Sequence, residues 1–174
     1  CDWSSDVCSS DLPVDLAGLL ASQTQKWAEA GAAVNVSVTA SVADGLPLIE
    51  TDVRAMRQII ENLLSNAVKY TPAEGHVEIS AAINADNELV LAVADTGIGI
   101  DATDQAHIFD RFGKGRPHVT TAQRGTGLGL AIVKGLVDMH GGRIELESAR
   151  GEGTRVAIVL PVKAKAEQPS RCVA

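Results

Sequence analysis

The chain has 174 residues, 45% of them hydrophobic and 21% charged. That suits one globular domain, large enough to hide roughly 70% of its unfolded surface without disulfide or metal staples. The formal net charge of −7 argues against general nucleic-acid binding and leaves room only for a local basic patch.

Residues 1–12, CDWSSDVCSSDL, are rich in Ser, Asp and Cys and carry no helical or strand period. They resemble translated adapter sequence joined to a truncated gene and are set aside as a non-native or disordered leader. This N-terminus also lacks the basic and apolar regions of a signal peptide. From Pro13, PVDLAGLLASQTQKWAEAGA places Leu16, Leu19, Leu20 and Trp27 at helical spacing, with Gly31 as the stop. VNVSVTAS alternates apolar and polar residues, as a half-buried strand does, and LIET follows the turn DGLP as a short strand. Asp52 is a good N-cap for a long helix whose apolar stripe is Val53, Met56, Ile60, Leu63, Leu64 and Ala67, ended by Pro72.

HVEISAAI and ELVLAVAD read as two strands joined through NADN. Residues 101–124 have no clear period. Leu128, Ile132, Leu136 and Met139 resume a helical stripe that Gly141 and Gly142 stop. RIELESA and TRVAIVLPV form a last strand pair around RGEG. Residues 164–174 read as a polar, disordered tail, so the domain is expected over 13–163. Cys1, Cys8 and Cys172 lie near the ends in no zinc-binding spacing and read as unpaired thiols of a cytoplasmic protein. No apolar run approaches the ~18 residues of a membrane span. Helices alternating with clustered strands predict an α+β two-layer sandwich, its mixed, mostly antiparallel sheet covered by helices on one face.

Two glycine clusters stand out. DTGIGI, Asp95 to Ile100, follows a strand and with Ala102 matches the dinucleotide pattern G-x-G-x-x-A. That pattern needs an acidic residue about twenty positions on, and none lies between Arg111 and Val137. A Walker A loop fails too, because Lys114 is followed by Gly115. The second cluster, GTGLG, opens a helix. Glycines allow close backbone approach, and the first amides of a helix point outward with a dipole that favours an anion. A phosphate cradle or a tight, closely packed turn would both use this pattern. Between the clusters lie Arg111, Lys114, Arg116, His118 and Arg124, with no acid after Asp110. A triphosphate would use that charge, and a solvated basic loop would carry it equally. In ENLLSNAVKY, Asn62, Asn66 and Lys69 share one polar helix face. They are surface residues or hard oxygen ligands for a Mg²⁺ that also takes phosphate oxygens.

In this order the pieces resemble the catalytic ATP-binding domain of sensor histidine kinases, in the Bergerat-fold ATPase superfamily. ENLLSNAVKYTP looks like the N box, DTGIGI the first glycine box, IFDRF the F box, GTGLGLAIVK the second glycine box and GEGTRVAIVLP the closing strand. The resemblance implies ATP and Mg²⁺ as ligands. By it, Asn66 binds the metal with Asn62 in support, Lys69 approaches the phosphates and Tyr70 lines the pocket. Asp95 accepts from the adenine amino group, and Gly97, Gly99 and Ile100 turn under the base. Phe109 and Phe112 anchor a lid from which Arg111 and Lys114 reach phosphate. Gly125, Thr126, Gly127, Leu128, Gly129 and Leu130 wrap the phosphates, and Thr154 is a further pocket residue.

The implied activity is transfer of the ATP γ-phosphoryl group to a histidine on a dimerisation hairpin, and indirectly to a response regulator. None of His76, His107, His118 and His140 begins an H-E-x-x-x-x-P segment of the acceptor type. The chain is therefore expected to be a cytoplasmic kinase core, inactive alone and monomeric as isolated. It would be cut from a parent that an inner membrane could anchor, with no membrane contact of its own. An anti-sigma-factor type serine kinase and binding module of the same superfamily is the alternative. Chaperone- or topoisomerase-type ATPases are disfavoured, because Asn62 stands where they carry a general-base Glu.

Overall fold

The computed structural model describes residues 12–43, 45–110 and 128–162. The elements run β1 (Leu12–Val14), α1 (Leu16–Ala32), β2 (Ser37–Val42), β3 (Ile49–Thr51), α2 (Val53–Tyr70), β4 (His76–Ile83), β5 (Glu88–Asp95), α3 (Ala102–Gln105), α4 (Gly129–Met139), β6 (Arg143–Ser148) and β7 (Thr154–Pro161). The main sheet has the order β2-β4-β5-β7-β6. Only the β2–β4 pair is parallel; the β4–β5, β5–β7 and β6–β7 pairs are antiparallel. The predicted α+β sandwich with a mixed, mostly antiparallel sheet is therefore what the chain forms.

Alternation along the central strands explains the layering, because successive side chains face opposite ways. Val77 and Ile79, Leu89 and Leu91, and Ile158 and Leu160 point to one face and join Met56, Ile59, Ile60, Leu63 and Leu64 of α2 in a single core. Asp15 and Asp52 cap α1 and α2 by accepting amide hydrogen bonds from Gly18 and from Arg54 and Ala55. The far end of the sheet is closed by Arg143, whose guanidinium forks onto both Glu88 oxygens at 2.7 and 2.9 Å.

Several expectations are corrected. Residues 12–14 do not lead straight into α1 but pair antiparallel with β3 as a separate two-stranded sheet. α1 runs one residue past Gly31, which is buried so close to the Val36 carbonyl that a Cβ would lie 2.6 Å from it. β2 begins at Ser37, and Val34 is exposed. Val53 lies on the solvent side of α2, while Ile59 and Val68 are buried. α4 is rotated from its predicted stripe: Val133 and Val137 are fully buried, whereas Ile132 and Met139 are 43% and 81% exposed. The helix is apolar on more than one face, so periodicity alone does not select the buried one.

Candidate functional site

The polar edge of α2 meets the start of α4. Asn62, Asn66 and Lys69 are all partly exposed, while the intervening Leu63, Leu64, Ala67 and Val68 anchor the helix in the core. Asn62 Nδ2 donates to the Gln58 carbonyl one turn back, at 2.9 Å. Its Oδ1 lies toward the start of α4. A Cβ built on Gly129 would stand 3.1 Å from that oxygen and 3.8 Å from Asn66 Nδ2. The first residue of α4 thus passes close to the two asparagines, and a Cβ there would be tight against Asn62. Among the described residues no side chain caps α4 at Leu128, and the leading amides and positive dipole end of a helix favour an anion. Lys69 Nζ lies 4.9 Å from the Tyr70 ring centroid, a cation–π distance.

Asp95 ends β5 beside this edge. Its Oδ1 accepts from the Gly97 amide at 2.8 Å and from the Thr154 amide at 3.2 Å. Among the described residues Oδ2 accepts nothing. Burial raises the carboxyl from its ordinary value, and the two amide hydrogen bonds pull against that rise. Two glycines let the following loop close down. A Cβ on Gly97 would come within 2.6 Å of the Tyr70 carbonyl, which also accepts from the Ile98 amide. Gly99 has φ +66° and abuts the Ala149 carbonyl.

The structure thus brings together Asn62, Asn66 and Gly129 in one cluster, and Tyr70, Asp95, Gly97 and Thr154 in another. Ile100 is held through its backbone by Ser148 and Gln105. Leu130 is partly buried against the core, and Leu128 is half-buried. Arg111, Lys114, Gly125, Thr126 and Gly127 lie outside the described residues, as does Phe112. A depression of about 250 Å³ lined by Ala32, Asn35, Val36, Ser37, Glu74 and Gly75 shares no residue with this cluster.

Three participants escape a reading of the sequence. Gly153, at φ +84°, presses on the Asp95 carbonyl so tightly that no Cβ fits. Its signal is present in GEGT, where it directly precedes Thr154. Ser148 and Gln105 bind the loop from behind. A single Ser at a strand end and a single Gln in an aperiodic stretch offer no pattern to read.

The start of α4 lies beside two amide side chains, and Asp95 ends β5 with one oxygen that accepts nothing among the described residues. Residues 51–164 match the family described as histidine kinase-, DNA gyrase B-, and HSP90-like ATPase, and the chain belongs to that family. It is an ATP-binding catalytic domain of the sensor histidine kinase type. The sensor histidine kinase WalK of Bacillus subtilis is 42% identical over 120 residues, which are 68% of this chain and 20% of that one. Among solved structures, full-length ShkA in complex with AMPPNP matches 89% of this chain and 32% of its own, at 32% identity and TM-score 0.79. A mycobacterial sensor histidine kinase, MprB, matches 88% of this chain and all of its own, at 26% identity and TM-score 0.76. The chain spans between 14% and 34% of the length of the first curated relatives it matches. Among the described residues no helix is long and apolar enough to cross a membrane.

Proposed function

We propose that this domain binds Mg-ATP between α2 and α4 and passes the γ-phosphoryl group to a histidine on the dimerisation hairpin of its parent kinase. The observation that carries this reading is the close approach of Gly129, at the start of α4, to Asn62 and Asn66. The donor set suits Mg²⁺: an asparagine oxygen is a hard ligand, and the ion usually takes one or two protein oxygens beside phosphate and water. Asn66 would hold the metal and Asn62 a water or phosphate beside it. Asp95 Oδ2 would accept from the adenine amino group, with Gly97, Gly99 and Ile100 under the base. Lys69 and Tyr70 would flank the nucleotide. Arg111, Lys114 and the run from Gly125 to Gly127 would complete the triphosphate site. AMPPNP in the ShkA structure supports the same ligand class here.

Phosphoryl transfer breaks the bond from the γ-phosphorus to the β–γ bridging oxygen. It forms a P–N bond to the acceptor ring, and ADP leaves. It needs the nucleophile in line with the metal-bound phosphate. No general-base carboxylate stands at Asn62, which favours an external nucleophile over self-contained hydrolysis. A response regulator would receive the group next, and ATP as co-substrate fits a cytoplasmic setting. The test is γ-labelled ATP incubated with this chain alone and with the separately purified dimerisation hairpin of a related sensor kinase. Acid-labile label on the hairpin only is the expected result. Acid-stable label on a serine of a small partner protein would favour the anti-sigma alternative.

A further inference from the structure

We infer that Ser148 sets base selectivity by holding the Thr154 hydroxyl as a pure hydrogen-bond acceptor beside Asp95. The inference rests on the reading of Asp95 as the adenine-binding residue.

Ser148 ends β6 directly opposite Thr154, the first residue of β7. Its hydroxyl meets three groups: the Ile100 amide at 2.8 Å, the Gly153 carbonyl at 2.8 Å and the Thr154 hydroxyl at 3.0 Å. A serine hydroxyl has one proton and two lone pairs. The Ile100 amide can only donate, and the Gly153 carbonyl can only accept. All three contacts are satisfied at once only when Ser148 gives its proton to Gly153 and Thr154 donates to Ser148.

Thr154 then has no proton left for a ligand. Its amide hydrogen goes to Asp95 Oδ1, and its hydroxyl hydrogen goes to Ser148. Only lone pairs remain on its side-chain oxygen. Asp95 as a carboxylate also only accepts. The two adjacent groups therefore present acceptors alone. An amino group at purine C6 satisfies them, whereas a carbonyl there sets lone pair against lone pair. Gln105 secures the device from behind, since its Nε2 donates to both the Ser148 carbonyl at 2.7 Å and the Ile100 carbonyl at 3.1 Å.

Remove the Ser148 hydroxyl and Thr154 can turn its proton toward a C6 carbonyl. Inosine triphosphate, which carries that carbonyl without the 2-amino group of guanine, is the discriminating probe. Calorimetric titration of Ser148→Ala should show the ATP-to-ITP affinity ratio reduced by about tenfold, the scale of one neutral hydrogen bond gained against one lost. Ser148→Thr keeps a hydroxyl and should keep the ratio. In a Thr154→Val background Ser148→Ala should no longer help ITP. Should Ser148→Ala fail to fold, Ser148→Cys fills the same space with a weakly bonding thiol and should read the same way. An unchanged ratio, whether both nucleotides still bind or both weaken together, overturns the inference. Asp95→Asn, titrated alongside, separates the two levels: unchanged ATP affinity in that variant means that the site reading has failed, not the role of Ser148.

Discussion

Gly129 lies so near Asn62 that a Cβ there would stand 3.1 Å from Asn62 Oδ1, with the amide end of that side chain already bound to Gln58. Gly129→Ala therefore requires the Asn62 side chain or the start of α4 to give by a few tenths of an ångström. Alanine is intrinsically the better helix former by about 1 kcal/mol in a helix interior, so the melting temperature should hold. Mg-ATP affinity should fall about tenfold, the loss of one charge-assisted contact. Calorimetry with a parallel melt checks this, and unchanged affinity would show that the approach of α4 is not part of the site.

Asp95 gives a pH dependence with a definite sign. Both amides occupy Oδ1, so a proton would settle on Oδ2, the atom assigned to the adenine amino group. Burial raises this carboxyl in the folded state, so ATP binding should weaken as pH falls through that raised value. The linkage to stability has the opposite direction. A raised carboxyl contributes stability below its ordinary pKa and loses it as pH rises through the folded one. Asp95→Asn should therefore melt no lower than the parent chain at neutral pH, yet lose ATP by at least about 30-fold, because its amide turns a donor toward a donor. A variant that melts much lower would mark Asp95 as structural.

How legible this is in the sequence varies with the kind of signal. β4 is readable because its buried and half-buried residues alternate over most of its length, β5 because a short apolar run follows the turn NADN, and α2 because a single apolar stripe and an Asp cap mark it. The shared face of Asn62, Asn66 and Lys69 is readable from helical spacing alone. The buried face of α4 is not, because apolar residues surround that helix. β1 is not, because three residues carry no period and its partner β3 lies far along the chain. The Ser148 hydroxyl and Gln105 Nε2 hold the backbone of Ile100 to the end of β6, a link between segments more than 40 residues apart, and only the fold brings those together.

The Glu88–Arg143 fork should govern acid stability at the far end of the sheet. Hydrogen bonds from Arg143 and then Asn84 hold the Glu88 carboxyl down to about 2. Its contribution is fully present above the ordinary carboxylate value and is lost as pH falls from there toward about 2. Arg143→Met should lower the melting temperature at pH 7, and the deficit should shrink as the pH approaches the acid end of that window. A deficit that stays constant across a pH series of melts would mean that Arg143 acts by packing alone.

The rotation of α4 makes a simple contrast. Val133 is fully buried and Ile132 is 43% exposed. Val133→Ala should cost roughly 2 kcal/mol, and Ile132→Ala well under about 1 kcal/mol, by urea unfolding. The reverse order would restore the stripe expected from periodicity.

Binding of ATP and its metal where α2 meets α4 is tested most directly by titration of Mg-ATP into this chain and into Asn66→Ala. Asn66 is partly exposed on its helix, so its truncation should leave the fold and melting temperature nearly unchanged. The parent chain should show saturable one-to-one binding, dependent on Mg²⁺, and the variant should lose that metal dependence together with most of the affinity. Equal Mg-ATP affinity and equal metal dependence in the two proteins would contradict it.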